Sequence, residues 1–416
     1  MENNPVAALL IVLGIILLSS RVAGAIARLF DQPRVLGELI IGVILGPTLL
    51  DVMHSAVLGL PVGHIEETVI ELAEIGVVLL MFKVGLEVHV SELVKVGKVA
   101  GLAGVLGALV PVAITLPVVM LFGYTWQPAL FAGVTLAATS VSISAQVLLE
   151  LGVLQTKVGN ALLATALIDD VVAILLVSLT IAVTGSSGQA DGGALLVIIV
   201  RMTAYIICAF LAGWFVVPRL MNWLSEHKEL ARSYGVPTFA LIIAFVFAWS
   251  AQVWGGVALI TGAFIAGVGL SRTHGNTKHQ IEQAVNNIAY ALLVPIFFVS
   301  VGLQTDLSTF PLSAIPLAAV LLLVGVVTKL VGCGLGAYWG GFSRDESYQL
   351  GVCMISRGEV GLIIAALGLS NGTLRADEPL FACLFLVILL TTVVTPPLVR
   401  RVLKPTPAAV PQGGTA

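Results

Sequence analysis

Apolar positions in this chain neither alternate with period two nor keep to one helical stripe. They come in long runs separated by short polar breaks. Thirteen such runs follow one another, at roughly 6–28, 35–53, 67–86, 97–122, 127–149, 157–184, 193–218, 234–252, 254–271, 284–303, 311–340, 347–370 and 379–400. Most approach or exceed the roughly 20 residues that a helix needs to cross a bilayer. A helix apolar all round lies in lipid or in a protein core. The pattern therefore predicts an all-α polytopic membrane protein of about thirteen transmembrane helices. Only Gln252-Val253 divides the eighth run from the ninth. The eleventh is long enough to tilt or to end outside the bilayer.

Composition supports this class. Of 416 residues, 58% are hydrophobic and 10% charged, against roughly 25% charged in soluble domains. The net charge of −3 gives no reason to expect nucleic acid. Cys208, Cys333, Cys353 and Cys383 all lie within apolar runs and form no CxxC, so neither a disulfide nor a structural metal is indicated. They read as small buried hydrophobes. The start, Met1-Glu2-Asn3-Asn4-Pro5, lacks a positive n-region, so the first run reads as a transmembrane helix despite a faint cleavage-like Ala23-Gly24-Ala25. No Walker A, GxGxxG, HExxH or EF-hand loop is present, so no nucleotide or metal cofactor is expected and any transport runs on gradients.

Basic residues in the breaks set the orientation. Fourteen Lys and Arg fall in, or at the very edge of, the breaks after odd-numbered runs or after the last run, and one, Arg375, falls after an even-numbered run. A missed helix in mid-chain would destroy that asymmetry. Lys and Arg concentrate on the cytoplasmic side, so the N-terminus is expected outside and the C-terminus in the cytoplasm. Residues 405–416 are rich in Pro, Ala and Gly and read as a disordered tail.

Ionisable groups inside the runs stand out next. Asp169 and Asp170 occupy the middle of the sixth run. A carboxylate at bilayer depth costs about 2.5–3.5 kcal/mol on insertion scales and is usually kept for an ion or proton site. Neighbours on a helix point about 100° apart, so one Asp can face a cavity while the other faces a helix. Lys329 lies mid-way along the eleventh run. A Lys–Asp pair that opens when an ion competes for the carboxylate is one reading; a permanent ion pair locking two helices is the other. The fifth run holds Thr139-Ser140-Val141-Ser142-Ile143-Ser144. Its hydroxyls, and its carbonyls if unwound, are hard oxygen ligands for a small alkali cation; the alternative is hydroxyls bonded back to their own helix.

Arg357 and Glu359, two apart in the twelfth run, do not face each other on a regular helix. Each is expected to find a partner elsewhere, in a structural role, or the helix breaks at Gly358. Glu71 and Glu74 share a face of the third helix and either line an outward funnel or sit among headgroups. The six His lie in breaks or at run ends and read as solvated. The polar fifth run, just before the Asp pair of the sixth, and the polar twelfth are seven runs apart. An odd offset reverses orientation, which points to an inverted-repeat secondary transporter with discontinuous helices at the midplane.

Several stretches carry a family resemblance. They are Gly37-Glu38-Leu39-Ile40-Ile41-Gly42 with Leu45-Gly46-Pro47, Met81-Phe82-Lys83-Val84-Gly85-Leu86-Glu87, Ala138-Thr139-Ser140, and Ile168-Asp169-Asp170-Val171. Pro295-Ile296-Phe297-Phe298, Val301-Gly302-Leu303 and Arg357-Gly358-Glu359-Val360-Gly361-Leu362 complete the set, in order along almost the whole chain. The chain resembles bacterial sodium/proton antiporters of the second branch of the monovalent cation:proton antiporter superfamily. That resemblance implies a homodimer in the bacterial inner membrane, in contact with lipid, and two unwound, crossing helices. It implies dimerisation-domain helices in 1–96 and 234–303, core-domain helices in 97–184 and 304–404, and a linker helix in 185–233. It makes Asp170 the ligand for sodium and protons, Asp169 the partner of Lys329, and Thr139 and Ser140 the neighbours at the unwound crossing. An Asp-Asp pair with a Lys resembles the electrogenic sodium branch; potassium exchangers often carry Gln-Asp and electroneutral ones Asn-Asp. The nucleotide-binding domain of potassium-efflux relatives is not expected in this chain. A potassium/proton antiporter is the nearer alternative. A cation channel or ion sensor is the more distant one, because neither a filter signature nor a signalling domain is seen.

Overall fold

The structure, a computed structural model, describes residues 5–54, 64–88, 90–184, 192–227, 229, 234–273, 275–304, 310–370, 372–375 and 378–403. The expected tail at 405–416, His89, His274 and the side chains of His54, His64 and Glu359 lie outside what is described.

Helix is the only extended regular structure among the described residues. In chain order the helices are α1 (Pro5–Leu29), α2 (Arg34–Leu45), α3 (His64–Glu87), α4 (Val90–Lys95), α5 (Gly97–Leu121) and α6 (Trp126–Ala137). Then come α7 (Val141–Glu150), α8 (Lys157–Thr184), α9 (Gly192–Leu211), α10 (Val217–Glu226), α11 (Gly235–Ser250) and α12 (Leu259–Leu270). The last are α13 (Gly275–Ile288), α14 (Val294–Leu303), α15 (Ile315–Gly340), α16 (Arg344–Cys353), α17 (Glu359–Ser370) and α18 (Pro379–Val402). Each of the thirteen apolar runs coincides with helix. Nine helical spans among the described residues are long and apolar enough to cross a membrane, and two shorter apolar helices cover Leu259–Leu270 and Val360–Leu369. At 12 residues α2 is shorter than a full span, and α3 carries Glu66, Glu67, Glu71, Glu74, Lys83 and Glu87.

Helix ends depart from the apolar runs for local reasons. The second run was expected to reach residue 53, but α2 stops at Leu45, where Gly46-Pro47 removes a donor and ends the ladder. The ninth run starts as helix only at Leu259, because Gly256 takes the left-handed region at φ 67°. The twelfth begins early, at Arg344, behind a complete capping box from Ser343 and Glu346.

Packing sorts the helices. α5 lies along α15 and contacts α6 and α8; α15 contacts α16 and α18, and α17 contacts α6. A second group joins α1, α2, α3, α11, α12 and α14, chiefly through α12 on α3 and α14 on α2. α7 touches both groups, meeting α8 and α18 on one side and α2 and α3 on the other. Small residues permit the closest approach: a Cβ on Gly336 of α15 would stand 2.6 Å from Ala103 Cα of α5. Burial separates the centre from the rim. In α6–α7, 94% of the most apolar window is buried, against 17% in α1 and in α9–α10. Exposed Leu10, Leu18, Val197 and Phe215 on the rim helices suit hydrocarbon rather than water.

Candidate ion site

Two helices break at the centre. α6 ends at Ala137 and α7 starts at Val141; α16 ends at Cys353 and α17 starts at Glu359. The interruptions meet: the Ser140 N–H donates to the Ser356 carbonyl at 2.9 Å, and a Cβ on Gly358 would lie 2.8 Å from Ser140 Oγ. Breaking a helix frees carbonyls that lipid cannot satisfy, and side chains take them. Arg357 donates from Nε to Leu136 O at 2.9 Å, from Nη1 to Ile355 O at 2.7 Å and from Nη2 to Gly325 O at 2.6 Å. Ser144 Oγ of α7 donates to Cys353 O at 2.5 Å, and Thr392 Oγ1 donates to the Arg357 carbonyl. Arg357 is wholly buried. Its partners are carbonyls, so it ties α6, α15 and the second break together. That is a structural role, with the helix broken at Gly358 so that Arg357 and Glu359 are not on one regular helix.

Asp169 and Asp170 sit mid-way along α8, and their side chains diverge. Asp169 Oδ1 accepts from Lys329 Nζ at 2.8 Å, with the side chains 1% and 0% exposed. Gly107 of α5 leaves room for this pair, since a Cβ there would lie 3.7 Å from Lys329 Nζ and 3.8 Å from Asp169 Oδ1. Asp169 Oδ2 is buried without a hydrogen-bond partner. A buried ion pair offsets its desolvation only when the remaining lone pairs are also satisfied. Among the described residues this one is incompletely satisfied. Thr139 Oγ1 and Ser356 Oγ, at the two breaks, are likewise buried without partners.

Asp170 faces the other way. Its Oδ2 accepts from Thr261 Oγ1 of α12 at 3.1 Å. It lines a cavity of about 20 Å³ with Met81, Val141, Leu163, Thr261 and Phe264 among the walls, room for about one water. Thr139 and Ser140 do not line this cavity; the next residue, Val141, does. Ser140 Oγ instead pairs with Ser142 Oγ at 3.0 Å.

Two larger spaces flank the site. One, of about 740 Å³, lies toward the start of α3 and the ends of α8 and α14 and takes in Glu66, Glu74, Gln252 and Gln304. Glu74 lines it and Glu71 does not; Glu66, absent from the sequence reading, does. Ile260 lines both this space and the Asp170 cavity. The other space, of about 150 Å³, lies at the start of α14, between the end of α1, the start of α2 and the end of α7. Its walls are joined by Arg34 Nε to Glu38 Oε1 at 2.8 Å, the Arg34 N–H to Glu150 Oε2 at 2.7 Å, Gln146 Nε2 to Glu150 Oε1 at 3.1 Å and Tyr290 OH to Gln146 Oε1 at 2.9 Å.

Sequence reasoning located the Asp pair, Lys329 and both breaks. It missed Thr261, a lone hydroxyl in an apolar helix, for which the sequence holds no signal. It also missed the Glu38–Arg34–Glu150–Gln146–Tyr290 network, although buried Glu38 was a usable clue.

Two interrupted helices meet beside buried carboxylates, the kind of discontinuous-helix site found in secondary transporters. Residues 9–404 match the family model described as sodium/hydrogen exchanger, transmembrane, and the chain belongs to that family. It is 37% identical over 394 residues to the Na(+)/H(+)-K(+) antiporter GerN of Bacillus cereus, covering 93% of this chain and 94% of GerN. It is 34% identical to the Na(+)/H(+) antiporter of Enterococcus hirae, covering 94% and 97%. With the high-affinity Na(+)/H(+) antiporter NhaS3 of Synechocystis it shares 30%, covering 96% and 90%. In fold it is similar to the sodium proton antiporter MjNhaP1 from Methanocaldococcus jannaschii, with a TM-score of 0.68 at 16% identity over 97% of this chain and 99% of that one.

Proposed function

We propose that the chain is a secondary active sodium or lithium/proton antiporter, electrogenic, in which Asp170 holds the cation or the proton by turns. The observation that carries this reading is a buried, incompletely satisfied Asp169–Lys329 pair beside a carboxylate that opens onto a cavity of about 20 Å³. A cation arriving at Asp170 displaces its proton and draws on the spare oxygen of Asp169. Lys329 is then released from its partner and gives up a proton as well. More protons than cations cross in each cycle, and each net charge couples the cycle to the membrane potential by about 2.3 kcal/mol per 100 mV.

The helices in 97–184 and 304–404 act as the moving core, carrying Asp169, Asp170, Lys329 and both breaks. Those in 1–96 and 234–303 act as the dimerisation scaffold, with 185–233 as linker. Movement of the core against the scaffold exposes the site to each side in turn. The charge asymmetry of the breaks supports an N-terminus outside, a C-terminus in the cytoplasm and the 740 Å³ space on the outer side; the membrane in this reading is a bacterial inner membrane. Residues around that space all come from helix halves on one side of the predicted spans, which supports their alternation. A homodimer is part of the same reading.

A second reading, potassium/proton antiport at the same site, is favoured by the relative named for both sodium and potassium. Proteoliposomes loaded with a pH dye, given sodium, lithium or potassium pulses at several pH values and with an imposed voltage, separate the two. Response to sodium and lithium is expected, accelerated by an outward-directed pull on positive charge, because more protons leave the liposome than cations enter. Response to potassium alone transfers the site to the second reading. Indifference to voltage removes the role given to Lys329.

A further inference from the structure

The carboxylate assigned to the transported ion is on α8, which packs on α5, yet the hydroxyl bonded to it is on α12, which packs on α3 and α11. Thr261 lies in the first turn of α12, its own N–H bonded to Ala258 O at 3.1 Å. The side chain is 3% exposed. Apart from Asp170, every residue around the 20 Å³ cavity is apolar except Thr261. A threonine hydroxyl carries one donor and two acceptor lone pairs. It can donate to a carboxylate and, after rotation about one bond, offer oxygen to a hard cation on that carboxylate.

We propose that Thr261 is a ligand to the transported cation, supplied by the scaffold rather than by the core. Without the cation, its hydroxyl donates to Asp170 Oδ2 at 3.1 Å, as observed. When sodium sits on Asp170, the hydroxyl turns its lone pair to the ion, directly or through the single water the cavity admits. The other walls offer no side-chain oxygen. The coordination shell is thus complete only while core and scaffold are docked as they are here, and it loses one ligand when the core moves. Cation release on one side is coupled to the movement by that loss. Unlike the serine and threonine of the breaks, this ligand belongs to the half of the molecule that stays in place. The inference rests on Asp170 being the ion carboxylate.

Its test uses the full chain in two measurements. Thermal unfolding of the purified protein is followed as sodium chloride replaces choline chloride, and sodium-driven proton movement is followed in proteoliposomes. Thr261→Val keeps shape and removes the hydroxyl; Thr261→Ser restores it; Thr261→Ala serves if the Val variant does not fold. The half-saturating sodium concentration is expected to rise about tenfold in Thr261→Val, what a hydrogen-bond-strength contact to a charged group is worth. Thr261→Ser should return the half-saturating sodium concentration close to wild type. An unchanged half-saturation in Thr261→Val or Thr261→Ala overturns the inference, as does a Ser variant as impaired as Val. Asp170→Asn runs in parallel and should abolish the sodium response. If it does not, the assignment of Asp170 itself is wrong, a result separable from a normal Thr261→Val beside a silent Asp170→Asn.

Discussion

Replacing Asp169 by Asn tests whether the Lys329 pair is an energetic unit. In the structure Asp169 Oδ1 is the acceptor for Lys329 Nζ at 2.8 Å, and the amine is 0% exposed. The variant leaves that ammonium buried beside a neutral amide. Removing one partner of a buried pair destabilises by about 3–5 kcal/mol, whereas removing both charges together is often neutral or stabilising. With a midpoint shift of about 2–4 °C per kcal/mol in larger domains, Asp169→Asn should melt on the order of 10 °C below wild type. Asp169→Asn combined with Lys329→Met should recover most of the loss. The assay is thermal unfolding of four purified proteins in one detergent: wild type, each single variant and the double. Their cycle isolates the coupling. A coupling near zero, or a double variant as unstable as the sum of the singles, would refute the reasoning. Transport by the double variant, if it retains Asp170, should persist without sensitivity to voltage.

Other expectations follow from the same geometry. Arg357→Lys should cost about 2–4 kcal/mol in thermal unfolding and Arg357→Leu more, because a single ammonium cannot reach the three carbonyls now bonded by one guanidinium. Gly336→Val should separate α15 from α5, since even a Cβ there meets Ala103 Cα at 2.6 Å, and abolish transport with loss of folded yield on size-exclusion chromatography. Glu74→Gln should raise the half-saturating concentration of external sodium about two- to threefold at low salt, an effect that fades at 0.5 M ionic strength as screening sets in, while Glu71→Gln should leave it unchanged because Glu71 does not line the wide space.

Much of the architecture was legible because a bilayer allows few solutions. Apolar runs as long as a helical span fix where the helices are. Asp169, Asp170 and Lys329 were legible for the same reason, as expensive groups that lipid does not tolerate. Arg357 was legible as a buried charge but its partners were not. They are backbone carbonyls, Leu136 and Ile355 at the two helix breaks and Gly325 inside α15, and no side-chain pattern announces a carbonyl. The stop at Leu45 and the late start of α12 were hidden because Gly46-Pro47 and Gly256 lie inside otherwise apolar runs. Thr261 was the hardest case. Threonine is unremarkable in a membrane helix, and only the meeting of α12 and α8 around the small cavity gives it a carboxylate to bond.

The central claim is that Asp170 binds the transported cation and the proton at one site. Sodium-driven proton movement through Asp170→Asn in proteoliposomes, beside wild type at equal reconstituted protein, tests it most directly. No sodium-dependent proton movement is predicted, in a variant that melts within a few degrees of wild type. Proton movement at the wild-type rate would contradict the claim.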